Sequence, residues 1–160
     1  MTRIPQITAG TTFTTFSPNR VCTRGQAMTF LYHAARNPEF HSTQTPFADV
    51  KPGAYYYTKV LWAVENGITS GVSSNRFGPR QQCTRAQIIT FLYSLAGKLP
   101  VHQQTLPFTD VKSSAYYRKA VAWAVENGIT AGRSATRFAP NDACTRGEVM
   151  TFLYKMLKDG

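Results

Sequence analysis

Cys83-Thr84-Arg85-Ala86-Gln87, running on into Ile88-Ile89-Thr90-Phe91-Leu92-Tyr93, is the stretch on which the fold turns. It returns as Cys22-Thr23-Arg24-Gly25-Gln26 before Thr29-Phe30-Leu31-Tyr32, and as Cys144-Thr145-Arg146-Gly147-Glu148 before Thr151-Phe152-Leu153-Tyr154. The copies stand 61 residues apart. A constant long period signals a repeat architecture, in which neighbouring units complete one another's core.

Each copy reads as a helix start. Thr followed three residues later by Gln or Glu is a capping box, which satisfies two orphan N–H groups reciprocally. Ile88, Phe91, Leu92 and Leu95 then share one helical face, as do Val149, Phe152, Leu153 and Met156. With Thr as N-cap, an Arg takes the first helical position three times. A cation there opposes the helix dipole, so each Arg implies a local partner. Two partners fit: an anion held by the Arg together with the free N–H groups of the first turn, or a structural carboxylate. Arg85, as a first-turn residue, is expected at the surface.

Working outward, residues 1–36 read as the second half of a repeat. Ile7-Thr8-Ala9-Gly10 matches Ile68-Thr69-Ser70-Gly71 and Ile129-Thr130-Ala131-Gly132, and Phe16-Ser17-Pro18 matches Phe77-Gly78-Pro79 and Phe138-Ala139-Pro140. A helix over about 23–36 follows. Residues 37–46 lack a period and read as a connector. Residues 47–97 form a complete repeat: a first helix over about 54–66 with Tyr56, Val60, Ala63 and Val64 on one face, a stop at Asn66-Gly67, a loop, and the second helix from Cys83 towards Gly97. Residues 108–160 repeat the plan after a second connector. Between 47–97 and 108–158, 28 of 51 aligned positions are identical, so the two units share one structure. The first unit has no counterpart of the first helix. That omission predicts an open face around Phe30 and Leu31, which the segment 1–6, a folded-back linker or a second chain would cover; the small area of 1–6 favours a symmetric dimer.

The 160 residues carry a net charge of +10. The length suffices for one domain or a small repeat array with its own core. The basic excess implies an acidic partner such as nucleic acid, anionic lipid or an acidic polysaccharide. Because the Lys and Arg residues are scattered, nucleic acid is disfavoured. No apolar run is long enough to span a bilayer. Met1–Gly10 lacks the apolar core of a signal peptide, so any export signal is expected outside this sequence.

The three cysteines all occupy one repeat position. A three-thiolate metal site on a threefold axis would need a fourth ligand that nothing supplies, whereas a small buried hydrophobe used three times needs nothing further. His33, His41 and His102 fall at unrelated repeat positions without ligand spacing. Glu65 and Glu126 recur beside Asn-Gly and read as solvated or salt-bridged. No metal, cofactor or catalytic constellation stands out.

Taken together, Phe-x-Asp-Val (Phe47, Asp49, Val50; Phe108, Asp110, Val111), the aromatic pairs Tyr55-Tyr56 and Tyr116-Tyr117, Trp-Ala-Val-Glu-Asn-Gly-Ile-Thr-x-Gly, Phe-x-Pro and Cys-Thr-Arg-Ala/Gly-Gln/Glu resemble the S-layer homology motif. The resemblance covers about two and a half motifs. It implies an all-α fold: tandem helix–loop–helix repeats in a pseudo-threefold prism around a central three-helix bundle. It further implies non-covalent anchoring to the cell wall through an anionic, pyruvylated secondary wall polysaccharide, at the cell surface, without catalysis. Carried over by motif position, the ligand grooves would hold Arg24, Arg85 and Arg146. Asp49 and Asp110 would bind sugar hydroxyls or hold the Arg, and Gly71 and Gly132 would let the backbone approach the ligand. Trp62 and Trp123 would either line the groove or belong to the core. The sequence departs from the pattern in having Cys for Ile, Gln26 and Gln87 for the signature's Glu, and Tyr55 and Tyr116 where Trp is frequent. Two other readings stay open: a protein–protein module using the same grooves, and a fragment of an enzyme.

Overall fold

A computed structural model describes residues 17–102 and 105–158. The expected matches at Ile7–Gly10 and Phe16 lie outside the described residues. Five helices form, with no strand or sheet among the described residues: α1 (Arg24–Ala34), α2 (Tyr57–Glu65), α3 (Arg85–Leu95), α4 (Arg118–Glu126) and α5 (Arg146–Lys158). The fold is all-α, as the sequence implies.

α1, α3 and α5 start where the capping boxes place them. Thr84 Oγ1 accepts the Gln87 N–H at 3.1 Å while the Gln87 side chain accepts the Thr84 N–H at 3.0 Å. Thr23 with Gln26, and Thr145 with Glu148, do the same. α2 and α4 begin three residues later than the expected 54, because 51–56 forms consecutive turns rather than helix. They stop as expected: Asn66 caps α2, its side chain donating to Trp62 O, and Gly67 follows at φ 69°.

α1, α3 and α5 are joined around an axis by backbone bonds that run in a closed ring. Cys22 N–H donates to Cys144 O, Cys144 N–H to Cys83 O, and Cys83 N–H to Cys22 O, at 2.8–2.9 Å. The three thiols are fully buried. Burial pushes the Cys22 thiol up to about 12 and raises Cys83 and Cys144 as well, so all three stay protonated at neutral pH.

The outer helices do not pack on their own repeat's second helix. α2 lies against α1 and α4 lies against α3, so each first helix covers the preceding repeat. Trp62 stacks edge-on to Tyr32 and Trp123 tilts against Tyr93, at 5.4 and 5.5 Å between ring centres. This corrects the expected open face. Phe30 and Leu31 are 3% and 0% exposed, and Phe30 faces the Arg146 guanidinium. The helix that no other outer helix covers among the described residues is α5. There Tyr154, the counterpart of Tyr32 and Tyr93, is 51% exposed.

The connectors are pinned by the recurring glutamates. Glu65 accepts the N–H groups of His41 and Ser42, and Glu126 accepts that of His102.

Candidate functional site

The first-turn N–H groups predicted to be free are already used. Arg24 N–H donates to Gln81 O and Gly25 N–H to Pro79 O. Arg85 and Ala86 donate to Asp142 O and Pro140 O, and Arg146 and Gly147 to Arg20 O and Pro18 O. The third N–H belongs to the capping Thr. Every one of these helix starts is therefore closed by the loop of the next repeat, and an anion cannot sit on the amides.

The arginines are not surface residues either: Arg24, Arg85 and Arg146 are 3–4% exposed. Each guanidinium reaches into the next repeat. Arg24 Nε donates to Phe77 O at 2.8 Å, with its Cζ 4.7 Å from the Phe77 ring centre and 5.3 Å from that of Phe91. Arg85 repeats this with Phe138 O at 2.9 Å and the rings of Phe138 and Phe152. Arg146 Cζ lies 5.0 Å from the Phe30 ring centre, which completes the circle. The cation that opposed its own helix dipole is offset by a carbonyl oxygen and ring faces from its neighbour. Burial lowers the pKa of Arg24, a mark of a desolvated charge.

Two of these arginines have different surroundings. Arg85 also donates through a terminal guanidinium nitrogen to Glu148 Oε2, so the structural-carboxylate reading holds there. At Arg24 the equivalent helix position is Gln87. Among the described residues no carboxylate lies within ion-pair distance of Arg24. A groove of about 390 Å³ opens beside it, walled by the Thr69–Val72 loop, by Gln87, Thr90 and Phe91 of α3, and by Tyr116 of the third repeat.

Of the other expected site residues, Gly71 shares the Arg24 groove. Its glycine character has an internal cause. At φ 90° an added Cβ would run into the Phe47 ring and the carbonyl oxygens of Arg76 and Ser73. Gly132 is held in the same way at φ 93° against Phe108 and Ser134 O. Asp49 accepts the N–H groups of Phe77 and Gly78 at 2.9 and 2.8 Å, and Asp110 those of Phe138 and Ala139. Burial opposes the charge on both, but these amides, with Arg76 and Arg137 nearby, hold the carboxyls below their ordinary value. Both aspartates tie down the turn whose carbonyl the Arg uses. Trp62 and Trp123 are 3% exposed in the packing of α2 on α1 and α4 on α3. Trp123 also borders a smaller depression of about 170 Å³ at the far ends of α3 and α4.

The sequence reading did not assign Thr69, Gln87 or Thr90 to the groove. Thr69 was visible as part of a repeated Ile-Thr, and Gln87 only as a cap. Their convergence depends on which repeat contacts which.

A ring of backbone bonds joins the helical repeats, and a groove opens between neighbours at Arg24. The family is shown by comparison: the S-layer homology domain matches residues 46–89 and 107–150. The chain belongs to the S-layer homology family. It is 37% identical over 103 residues to the surface-layer 125 kDa protein of Lysinibacillus sphaericus, covering 64% of this chain and 9% of that protein. It is 33% identical over 116 residues to an endoglucanase of Bacillus sp. (strain KSM-635), covering 72% and 12%. To the S-layer protein of Bacillus thuringiensis subsp. finitimus it is 27% identical over 144 residues, covering 88% and 17%. The chain thus spans less than a fifth of the length of these relatives. Family and relatives indicate a location at the cell surface or cell wall. No helix among the described residues is long and apolar enough to cross a membrane.

Proposed function

We propose that this chain is a cell-wall anchoring module that binds an anionic wall polysaccharide in a groove between repeats, and that it acts by binding rather than by catalysis. The observation that carries the reading is Arg24: a buried guanidinium that no carboxylate among the described residues faces, at the wall of an open groove bordered by a tyrosine. A pyruvyl ketal on a sugar offers one carboxylate and an apolar methyl group, which suits a guanidinium set among aromatic rings. Thr69, Ser70, Gln87 and Thr90 supply neutral donors and acceptors for hydroxyl groups. The net charge of +10 favours an acidic polymer over a neutral one.

The test is co-sedimentation with purified Gram-positive cell walls, before and after hydrofluoric-acid removal of the secondary polysaccharide. Retention on native walls and loss on stripped walls is the expected result. Equal retention on both would sink the glycan reading.

Self-association is a second reading, favoured by the α5 face around Tyr154, where Met150, Met156 and Leu157 are only partly covered. Light scattering over a dilution series on wild type and Tyr154→Lys tests it. A mass that is monomeric at all concentrations, in both proteins, excludes it.

A further inference from the structure

Resting on that reading, we propose that the residue at the third position of the next capping-box helix decides which of two buried arginines accepts an anion: Arg24, beside Gln87 and an open groove, takes a carboxylate, and Arg85 already holds one, Glu148.

The two arginine sites are related by the repeat. In the second, Arg85 takes the place of Arg24, Phe138 that of Phe77, and Gly132 that of Gly71. Both capping side chains use one oxygen to accept their own Thr N–H, at 3.0 Å for Gln87 and 3.2 Å for Glu148. The difference lies in what remains. Gln87 has a neutral amide nitrogen left over. Glu148 has a second carboxylate oxygen, and Arg85 occupies it. Arg133, which stands where the first groove has Val72, joins the same oxygen at 3.3 Å and lies 3.5 Å from Asp142.

Counted as charges, Arg85 and Arg133 meet Glu148 and Asp142, and this cluster is neutral. Arg24 lies beside Gln87 and Val72, and among the described residues no carboxylate pairs with its charge. Glu148 thus stands in for a ligand carboxylate: it is planar, anionic and tethered, and so has no translational freedom to lose. A free carboxylate competing for Arg85 must displace it and leave Glu148 without its strongest partner.

The experiment uses amide NMR on the full chain, titrated with the methyl glycoside of a 4,6-O-pyruvylated hexose. The Gly71 amide reports the Arg24 groove, and the Gly132 amide, its repeat counterpart, the Arg85 site. In wild type, Gly71 should shift to saturation while Gly132 stays in place. Glu148→Gln should make Gly132 respond. This variant keeps the cap, since Gln26 and Gln87 already serve in that position. Gln87→Glu should weaken the Gly71 response by about tenfold or more, the loss of one charge-assisted contact. It places a carboxylate opposite Arg24, so its folding is not at risk in the way that an unpaired Arg85 would be.

Saturation of both amides at the same concentration in wild type overturns the proposal. So does an unchanged Gly71 response in Gln87→Glu. If wild type sediments with native walls but neither amide moves, the switch fails while the anchoring reading survives. If wild type neither sediments nor responds, both fail.

Discussion

Two sites on one molecule share a buried arginine, a carbonyl acceptor, two phenylalanine faces and an aspartate-capped turn. They differ in the helix position Gln87 against Glu148 and in the loop residues Ser70 against Ala131, Val72 against Arg133 and Gln81 against Asp142. The shared parts build the fold, since they recur wherever the repeat does. The differing parts tune charge, since the backbone is the same with or without it. The comparison therefore separates residues that close the ring from residues that decide what the ring leaves open.

The largest effect should come from the buried guanidinium itself. Arg85→Ala removes a carbonyl bond and two ring contacts and strips Glu148 of its main partner. Breaking such a pair costs about 3–5 kcal/mol, which lowers Tm by roughly 6 °C or more in a chain of this size. Arg24→Ala loses the same bond and packing without stranding a carboxylate, and should cost less. Thermal unfolding of the two variants checks the order; equal losses would mean that the Glu148 pair adds nothing.

The glycines should behave alike at both sites. Gly71→Ala and Gly132→Ala each force a Cβ into a phenylalanine ring and carbonyl oxygens at positive φ, at a cost of about 1–3 kcal/mol. Wild-type melting temperatures in both variants would mean that these glycines serve ligand approach alone.

Acid should affect the two turns equally. Asp49 and Asp110 have carboxyl groups held below their ordinary value. Their contribution is present above the unfolded-state pKa of about 4 and is lost as pH falls through the depressed folded value. Asp49→Asn and Asp110→Asn should each flatten the acid limb of a plot of Tm against pH, by similar amounts. A limb left unchanged by both would assign acid sensitivity to other groups.

The smallest expected effect sharpens the comparison most. Thr84→Ala and Thr145→Ala each remove a cap worth about 1 kcal/mol. A clearly larger loss at Thr145, by urea unfolding, would show that its capping box also aims Glu148 at Arg85.

By itself the sequence determined the repeat, the helix starts and the helix stops. Thr-x-x-Gln/Glu and Asn-Gly act within a turn of the chain, so their geometry is local and carries over directly to α1, α3 and α5 and to the ends of α2 and α4. It also yielded the family, because serial motifs at constant spacing are hard to reach by chance. The burial of the arginines was illegible, since an Arg at a first helical turn looks solvent-exposed until a neighbouring repeat places a carbonyl and two rings around it. The position of the uncovered face was illegible for the same reason. Only tertiary structure decided that α2 covers α1 and not α3, which moves the open side from Phe30 to Tyr154. It alone decided that Glu148 meets Arg85, because a contact between residues 63 apart in sequence follows from how the ring closes and not from either motif.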